Sequence, residues 1–383
     1  MVIQTMWKDR LTNADLEGEA GAAVRECIEN LSRMGCGLLR FAVPDIAAAE
    51  TLGRLSQTVS MPLVADIHFE YKIALRCLDF PIAKIRINPG NIGGKEKVRQ
   101  VLEKAGEKGV PIRIGVNAGS LPADLRNKLL SNSTTQRHKD TKGHSSFADI
   151  THSSVPSCLC ERYSEERALA LVEAAERELA VCAEFGFADV IVSMKASNIA
   201  DTVMANKIFA GRSNTPLHIG VTEAGPLVAG VARSSAALSL LLAQGIGDTI
   251  RVSLSDSMEN EIIAAREICG AAAEIALHNG NEKAASRLRQ GGVKVISCPR
   301  CGRHGFDTHG FCVRWLPKLY SLDRNITVAI MGCEVNGPEE ARHADIGITG
   351  AGNKALIFRK GVIVRTVSAA DADNAFAEEL ELT

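Results

Sequence analysis

The chain has 383 residues, 46% of them hydrophobic, which suffices for one large and one small domain, each with its own core. Its 44 basic and 45 acidic residues leave a net charge of −1, so there is no bulk electrostatic case for nucleic acid or an anionic membrane. No apolar run reaches the roughly 18 residues of a membrane span, no charged leader opens the chain, and eleven scattered cysteines argue against a disulfide framework; a cytoplasmic protein is expected.

In chain order, short apolar runs alternate with helix-patterned segments. The runs are "VIQTM" (2–6), "GLLRFAV" (37–43), "MPLVADIHF" (61–69), "AKIRINPG" (83–90), "VPIRIGVNAG" (110–119), "ADVIVSMKAS" (188–197), "TPLHIGVTEAG" (215–225) and "DTIRVSLS" (248–255). Between them lie helical patterns such as "EKVRQVLEKAGEKG" (96–109), with Gly at the end. Eight strand–helix units with right-handed crossovers close naturally into a (β/α)8 TIM barrel. An open doubly wound sheet is the competitor, but no GxGxxG turn follows the first strand. The serine-, threonine- and histidine-rich segment 122–164 breaks the rhythm and reads as an active-site lid or a disordered insertion. Its Cys158 and Cys160 have no matching pair nearby and read as incidental.

After a helix over 257–280, residues 281–292 read as a polar hinge or linker between a barrel domain (1–280) and a small α+β domain (293–383). That second domain is built of "VKVIS", "ITVAIMG", "DIGITG" and "KALIFRKGVIVRTV", closed by a terminal helix, "DADNAFAEELEL".

A barrel carries its chemistry at the C-terminal ends of its strands. Those ends supply Arg40, Asp66, His68, Arg86, Asn88, Arg113, Asn117, Lys195, Glu223, Arg251 and Ser253. Any single Arg at a strand end suits a rim salt bridge. Arg40, Arg86, Arg113, Lys195 and Arg251 together, against Asp66 and Glu223, make an electropositive mouth suited to a phosphorylated or diphosphorylated small molecule.

In the second domain, "CPRCG" places Cys298 and Cys301 in a knuckle used for both zinc and iron–sulfur sites. A zinc ribbon would need Cys312 and Cys333 as its second pair, and their spacing is poor for one. Cys298, Cys301 and Cys333 with a non-cysteine fourth ligand instead describe a 4Fe-4S cluster with one labile iron. Spacing alone leaves both open.

"PLVADIHFEYKIALR", "RINPGNIG", "PIRIGVNAGSL", "VSMKAS", "PLHIGVTEAG", "GIGDTIRVSLS", "CPRCGRHGFD" and "MGCEVNGPEEARHADIGITG", in this order, closely resemble the bacterial 4-hydroxy-3-methylbut-2-enyl diphosphate synthase family. The resemblance runs from about residue 37 to 365, interrupted by 122–164. It implies a TIM barrel followed by an iron–sulfur domain, and reductive ring opening of 2-C-methyl-D-erythritol 2,4-cyclodiphosphate in isoprenoid biosynthesis. Two electrons would come from flavodoxin or ferredoxin. The implied cluster ligands are Cys298, Cys301, Cys333 and Glu340. Arg40, His68, Arg86, Arg113, Asn117, Lys195, Arg251 and Ser253 are the implied substrate-binding residues, joined by Asn88 from its place at a strand end; the implied catalytic residues are Asp66 and Glu223, acidic groups facing the reacting carbons, with Glu223 the nearby acid. It also implies a homodimer in which one chain's cluster domain caps the other's barrel. This chain has "GPEEA" where the family tends to "GPGEA", so Glu339 competes with Glu340, and "MWKDRLTNAD" departs from the family after Met6. The alternative from another class is a barrel acting on a sugar phosphate without redox chemistry, its second domain a structural zinc ribbon.

Overall fold

The computed structural model describes residues 1–129, 157–299, 301, 305–333 and 337–383. These fall into two compact units, one of Met1–Ser32 with Cys36–Arg289, the other of Arg33–Gly35 with Gln290–Thr383.

The first unit is an eight-stranded parallel barrel. Its strands are β1 (Val2–Met6), β2 (Cys36–Ala42), β3 (Leu63–Asp66), β4 (Lys84–Ile87), β5 (Ile112–Asn117), β6 (Val190–Lys195), β7 (His218–Ile219) and β8 (Thr249–Ile250). They are hydrogen-bonded in the order β6-β5-β4-β3-β2-β1-β8-β7. A single parallel bridge, Val192 with Leu217, joins β6 to β7 at the seam. Each of the eight expected runs coincides with one of these strands, β2 starting one residue earlier at Cys36.

Both faces of the barrel strands are covered, so β3 and β4 are buried at every position. In β4, Ile85 and Ile87 occupy one face while Lys84 and Arg86 share the other. The same period of two in β5 puts Ile112 and Ile114 on one face and Arg113, Gly115 and Asn117 on the cavity side. The helix Lys95–Lys108 ends at Gly109 with φ +63°, the left-handed cap that the glycine in its sequence pattern predicts.

The described residues bear on two parts of the sequence reading. Of the segment 122–164, residues 130–156, including the middle of the expected lid, lie outside the described residues, and the helix Ser157–Glu184 already begins before its end. Most of the stretch read as a linker is the helix Glu282–Leu288, capped by Asn281, whose side-chain oxygen accepts the Ala284 N–H at 3.1 Å. Ala284 and Ala285 pack on Ala243 and Ala276 within the barrel unit, so the division between units falls at Arg289 and Gln290.

The second unit carries a five-stranded sheet of β9 (Lys294–Ser297), β10 (Thr327–Ile330), β11 (Ile346–Ala351), β12 (Lys354–Arg359) and β13 (Val362–Ser368), in the order β13-β12-β11-β10-β9. β9, β10 and β11 pair in parallel; β12 and β13 continue antiparallel. Its core stacks Phe311 on Trp315 and sets Phe376 edge-on to both. Those aromatics come from the helices Thr308–Tyr320 and Ala372–Glu381. The first of these helices carries Cys312, which the sequence reading weighed only as a zinc-ribbon ligand.

Candidate active site

The C-terminal ends of the barrel strands enclose a cavity of about 260 Å³. Arg40, Asp66, His68, Arg86, Arg113, Asn117, Lys195, Arg251 and Ser253 all line it, joined by Met6, Gly115, Ser193 and Thr222. Two expected residues lie elsewhere. Asn88 uses its side-chain oxygen to accept the Gly115 N–H at 2.9 Å, tying the end of β4 to β5. Glu223 follows Thr222 but is exposed and outside the lining, and its backbone is left-handed at φ +52°, a strained state for a non-glycine residue.

Asp66 is the carboxylate among the lining residues. Its oxygens lie 3.2 Å from Arg86 Nη1, 3.6 Å from Arg40 Nε and 3.7 Å from His68 Nε2. Burial alone would raise its pKa, but Arg40, Arg86 and Arg113 reverse that and hold it below the usual carboxylate range. Arg86 Nη1 also lies 2.9 Å from His68 Nδ1. The same Nη1 lies 3.3 Å from His68 Nε2, and because a guanidinium only donates, its place against both ring nitrogens favours a neutral imidazole. Burial and the nearby Arg86 and Arg40, opposed by Asp66, lower the His68 pKa in agreement.

Below this layer the interior stays polar where many barrels hold branched aliphatic residues. Arg113 is 2% exposed and donates to Gln4 Oε1 at 3.4 Å. Lys195 is also buried, and burial together with Arg113, Arg251, Arg40 and Arg86 drives its pKa well down. His218 bonds Thr249 Oγ1 through Nδ1 at 2.7 Å. Lys84 is pushed down to about 8 by burial and by Arg113. The Nε atoms of Arg40, Arg113 and Arg251 are buried without a hydrogen-bond partner among the described residues. Donors of this kind, buried and unsatisfied, suit an incoming anion with many acceptor oxygens.

Glycines make the space. A Cβ on Gly115 would lie 2.6 Å from Arg86 Nε, and one on Gly220 would lie 3.0 Å from Lys195 Nζ. Sequence reasoning missed Met6, Gly115, Ser193 and Thr222, and also the buried Gln4, Lys84 and His218. The period of two carried a signal for several of them: Gln4 is two before Met6, Lys84 two before Arg86, and Ser193 two before Lys195. A larger groove of about 830 Å³, between the helices Ile199–Ala210 and Leu227–Leu242, is mainly apolar and includes none of the expected site residues.

In the second unit two of the expected metal ligands, Cys298 and Cys333, follow neighbouring parallel strands at the same end. Cys298 directly follows β9, and Cys333 lies three residues beyond β10, its parallel neighbour. The Gly332 N–H donates to Cys298 Sγ at 2.9 Å, and the Cys333 carbonyl accepts from Gly337 N–H at 3.0 Å. Cys301 is exposed, and Glu339 and Glu340 are exposed on the turn of helix Gly337–Glu340. Cys312 instead rides the helix Thr308–Tyr320, packs against the core and donates to Ser297 Oγ at 3.6 Å. Among the described residues, no three His, Cys, Asp or Glu side chains are gathered closely enough to hold a metal ion. The donor set still fits an iron–sulfur cluster in kind, being soft thiols with a backbone N–H already aimed at one sulfur.

Comparison with known proteins places both units. Residues 1–266 match the GcpE TIM-barrel domain, and residues 294–382 match the GcpE protein C-terminal domain. The chain is 48% identical to the 4-hydroxy-3-methylbut-2-en-1-yl diphosphate synthase (flavodoxin) of Treponema denticola, across 100% of this chain and 92% of that one. The protein of the same name from Treponema pallidum is 46% identical, covering 99% and 85%. That from Thermodesulfovibrio yellowstonii is 40% identical, covering 94% and 89%.

Proposed function

The chain belongs to the GcpE family, and from that premise we propose that it is a cytoplasmic 4-hydroxy-3-methylbut-2-enyl diphosphate synthase. It opens 2-C-methyl-D-erythritol 2,4-cyclodiphosphate reductively, with loss of water, using two electrons and two protons. The observation that carries the reading is the cavity at the barrel mouth, where Arg40, Arg86, Arg113, Lys195 and Arg251 face one carboxylate, Asp66. A cyclic diphosphate brings the acceptor oxygens that those cations lack. The zinc-stapled, non-redox alternative has no support among the relatives.

Arg113 and Lys195 meet the diphosphate from the floor, Arg40, Arg86 and Arg251 from the walls, and Asn117 and Ser253 add polar contacts at the rim. Asp66 stays ionised among its arginines, so its work is to hold Arg40 and Arg86 in place and orient the substrate. Neutral His68 keeps one ring N–H, which can donate to a phosphate oxygen. Glu223, within the loop after β7, is the acid for the departing hydroxyl; its strained backbone is consistent with a residue held for function.

Cys298, Cys301, Cys333 and Glu340 are the residues that would hold a 4Fe-4S cluster. That group supplies the electrons for ring opening, received from a flavodoxin or ferredoxin. Flavodoxin is favoured, because the relatives carry it in their names. The active form is a homodimer in which one chain's cluster domain caps its partner's barrel.

Anaerobic purification tests the cluster. A brown protein with broad visible absorbance is expected, and Cys298→Ser, Cys301→Ser or Cys333→Ser should each remove it. Cys312→Ser should leave iron content and spectrum unchanged. A colourless protein with stoichiometric zinc, lost on Cys312→Ser, would restore the zinc ribbon.

A further inference from the structure

We propose that Glu261 is a positioning residue for substrate binding, holding the Arg251 guanidinium at the barrel mouth; the proposal rests on the function stated above. Glu261 lies on the helix Met258–His278, which follows β8, and is 1% exposed. Its Oε2 accepts from Thr5 Oγ1 at 2.6 Å. Its Oε1 accepts from Lys8 Nζ at 2.5 Å and from the Leu254 N–H at 3.0 Å, and lies 3.5 Å from Arg251 Nη2. One buried carboxylate thus gathers β1, the residues after it, the loop after β8 and a cavity arginine.

A carboxylate this buried persists only where it is paired and hydrogen-bonded, and three hydrogen-bond donors with the Arg251 ion pair provide that. Two of them, Thr5 and Leu254, fix its orientation; Lys8 and Arg251 compensate its charge. Arg251 lines the cavity, and its Nε has no hydrogen-bond partner among the described residues. Asp66, the carboxylate lining the cavity, pairs with Arg40 and Arg86 instead. Glu261 therefore restrains one arm of a guanidinium fork whose remaining donors can meet phosphate oxygens. A fork restrained before substrate arrives loses less rotamer freedom on binding. Lys8 shares the carboxylate but does not line the cavity, so it serves as counter-ion and not as part of the clamp.

A double-mutant cycle on the full-length, cluster-loaded enzyme separates positioning from a merely structural role. Binding of the cyclodiphosphate is measured calorimetrically without reductant, and KM and kcat are measured with it. Glu261→Gln should weaken binding about tenfold and raise KM, with kcat within about twofold of the parent. Arg251→Ala should weaken binding more, and adding Glu261→Gln to it should cost nothing further. Lys8→Met should leave affinity within about twofold. Iron content and the visible spectrum should be unchanged throughout. Should Glu261→Gln fail to fold, the pair Lys8→Met with Glu261→Gln removes the buried carboxylate together with its lysine counter-ion and carries the same comparison with and without Arg251. An equal loss of affinity from Glu261→Gln in both backgrounds, or from Lys8→Met alone, would overturn the positioning role and leave the function standing. An Arg251→Ala enzyme that binds the cyclodiphosphate normally would overturn both.

Discussion

At the residue scale, the site is governed by too many cations for its carboxylates. Lys195 shows the consequence most clearly, since burial and four arginines press it toward its neutral form. A diphosphate entering the cavity reverses that field and raises the Lys195 pKa. Binding should therefore take up protons, and affinity should tighten as pH falls through the interval between the free and bound pKa values. Calorimetry of cyclodiphosphate binding in buffers of differing ionisation enthalpy measures the uptake. Lys195→Met should abolish it and weaken binding by about tenfold or more; binding with no proton uptake in the parent would contradict the assignment. The charged members of this site were legible in the sequence because each interrupts an apolar strand. Glu261 was not, because a Glu in the first turn of an amphipathic helix looks like any solvated helix residue until Thr5, Lys8 and Arg251 are placed around it.

Elements make the cavity by alternation and by omission. β5 presents Arg113, Gly115 and Asn117 in turn, and the missing side chain at Gly115 is where the Arg86 guanidinium lies, its Nη2 donating to the Gly115 carbonyl at 3.3 Å. Gly115→Ala should displace Arg86 and weaken substrate binding about tenfold, with the secondary structure retained. Isothermal titration and circular dichroism check the two halves of that statement, and unchanged affinity would show that Arg86 has another resting place. The eight barrel strands were readable from pattern even where β7 and β8 are only two residues long, because apolar runs recur between helical segments. The helices Glu282–Leu288 and Thr308–Tyr320 were not. The first is short and polar, and buries little besides Ala284, Ala285 and Leu288. The second includes Gly310, Cys312 and Pro317, and begins amid a cysteine motif that invites a loop reading.

For the whole molecule, two units supply two kinds of chemistry. The barrel offers charge and shape for a cyclic diphosphate; the second unit offers thiols at the ends of β9 and β10. Sequence order could suggest that Cys298 and Cys333 belong together, but the parallel pairing of β9 with β10, and the Gly332 N–H on Cys298 Sγ, give that suggestion a physical basis. The fourth ligand stays a proposal on Glu340, one residue from Glu339 on the same turn. The most direct measurement is an anaerobic assay of the purified, cluster-loaded protein with 2-C-methyl-D-erythritol 2,4-cyclodiphosphate and reduced flavodoxin. One 4-hydroxy-3-methylbut-2-enyl diphosphate should form for every two electrons consumed. Bound cyclodiphosphate that is never reduced, in a protein whose cluster is intact and reducible, would contradict it.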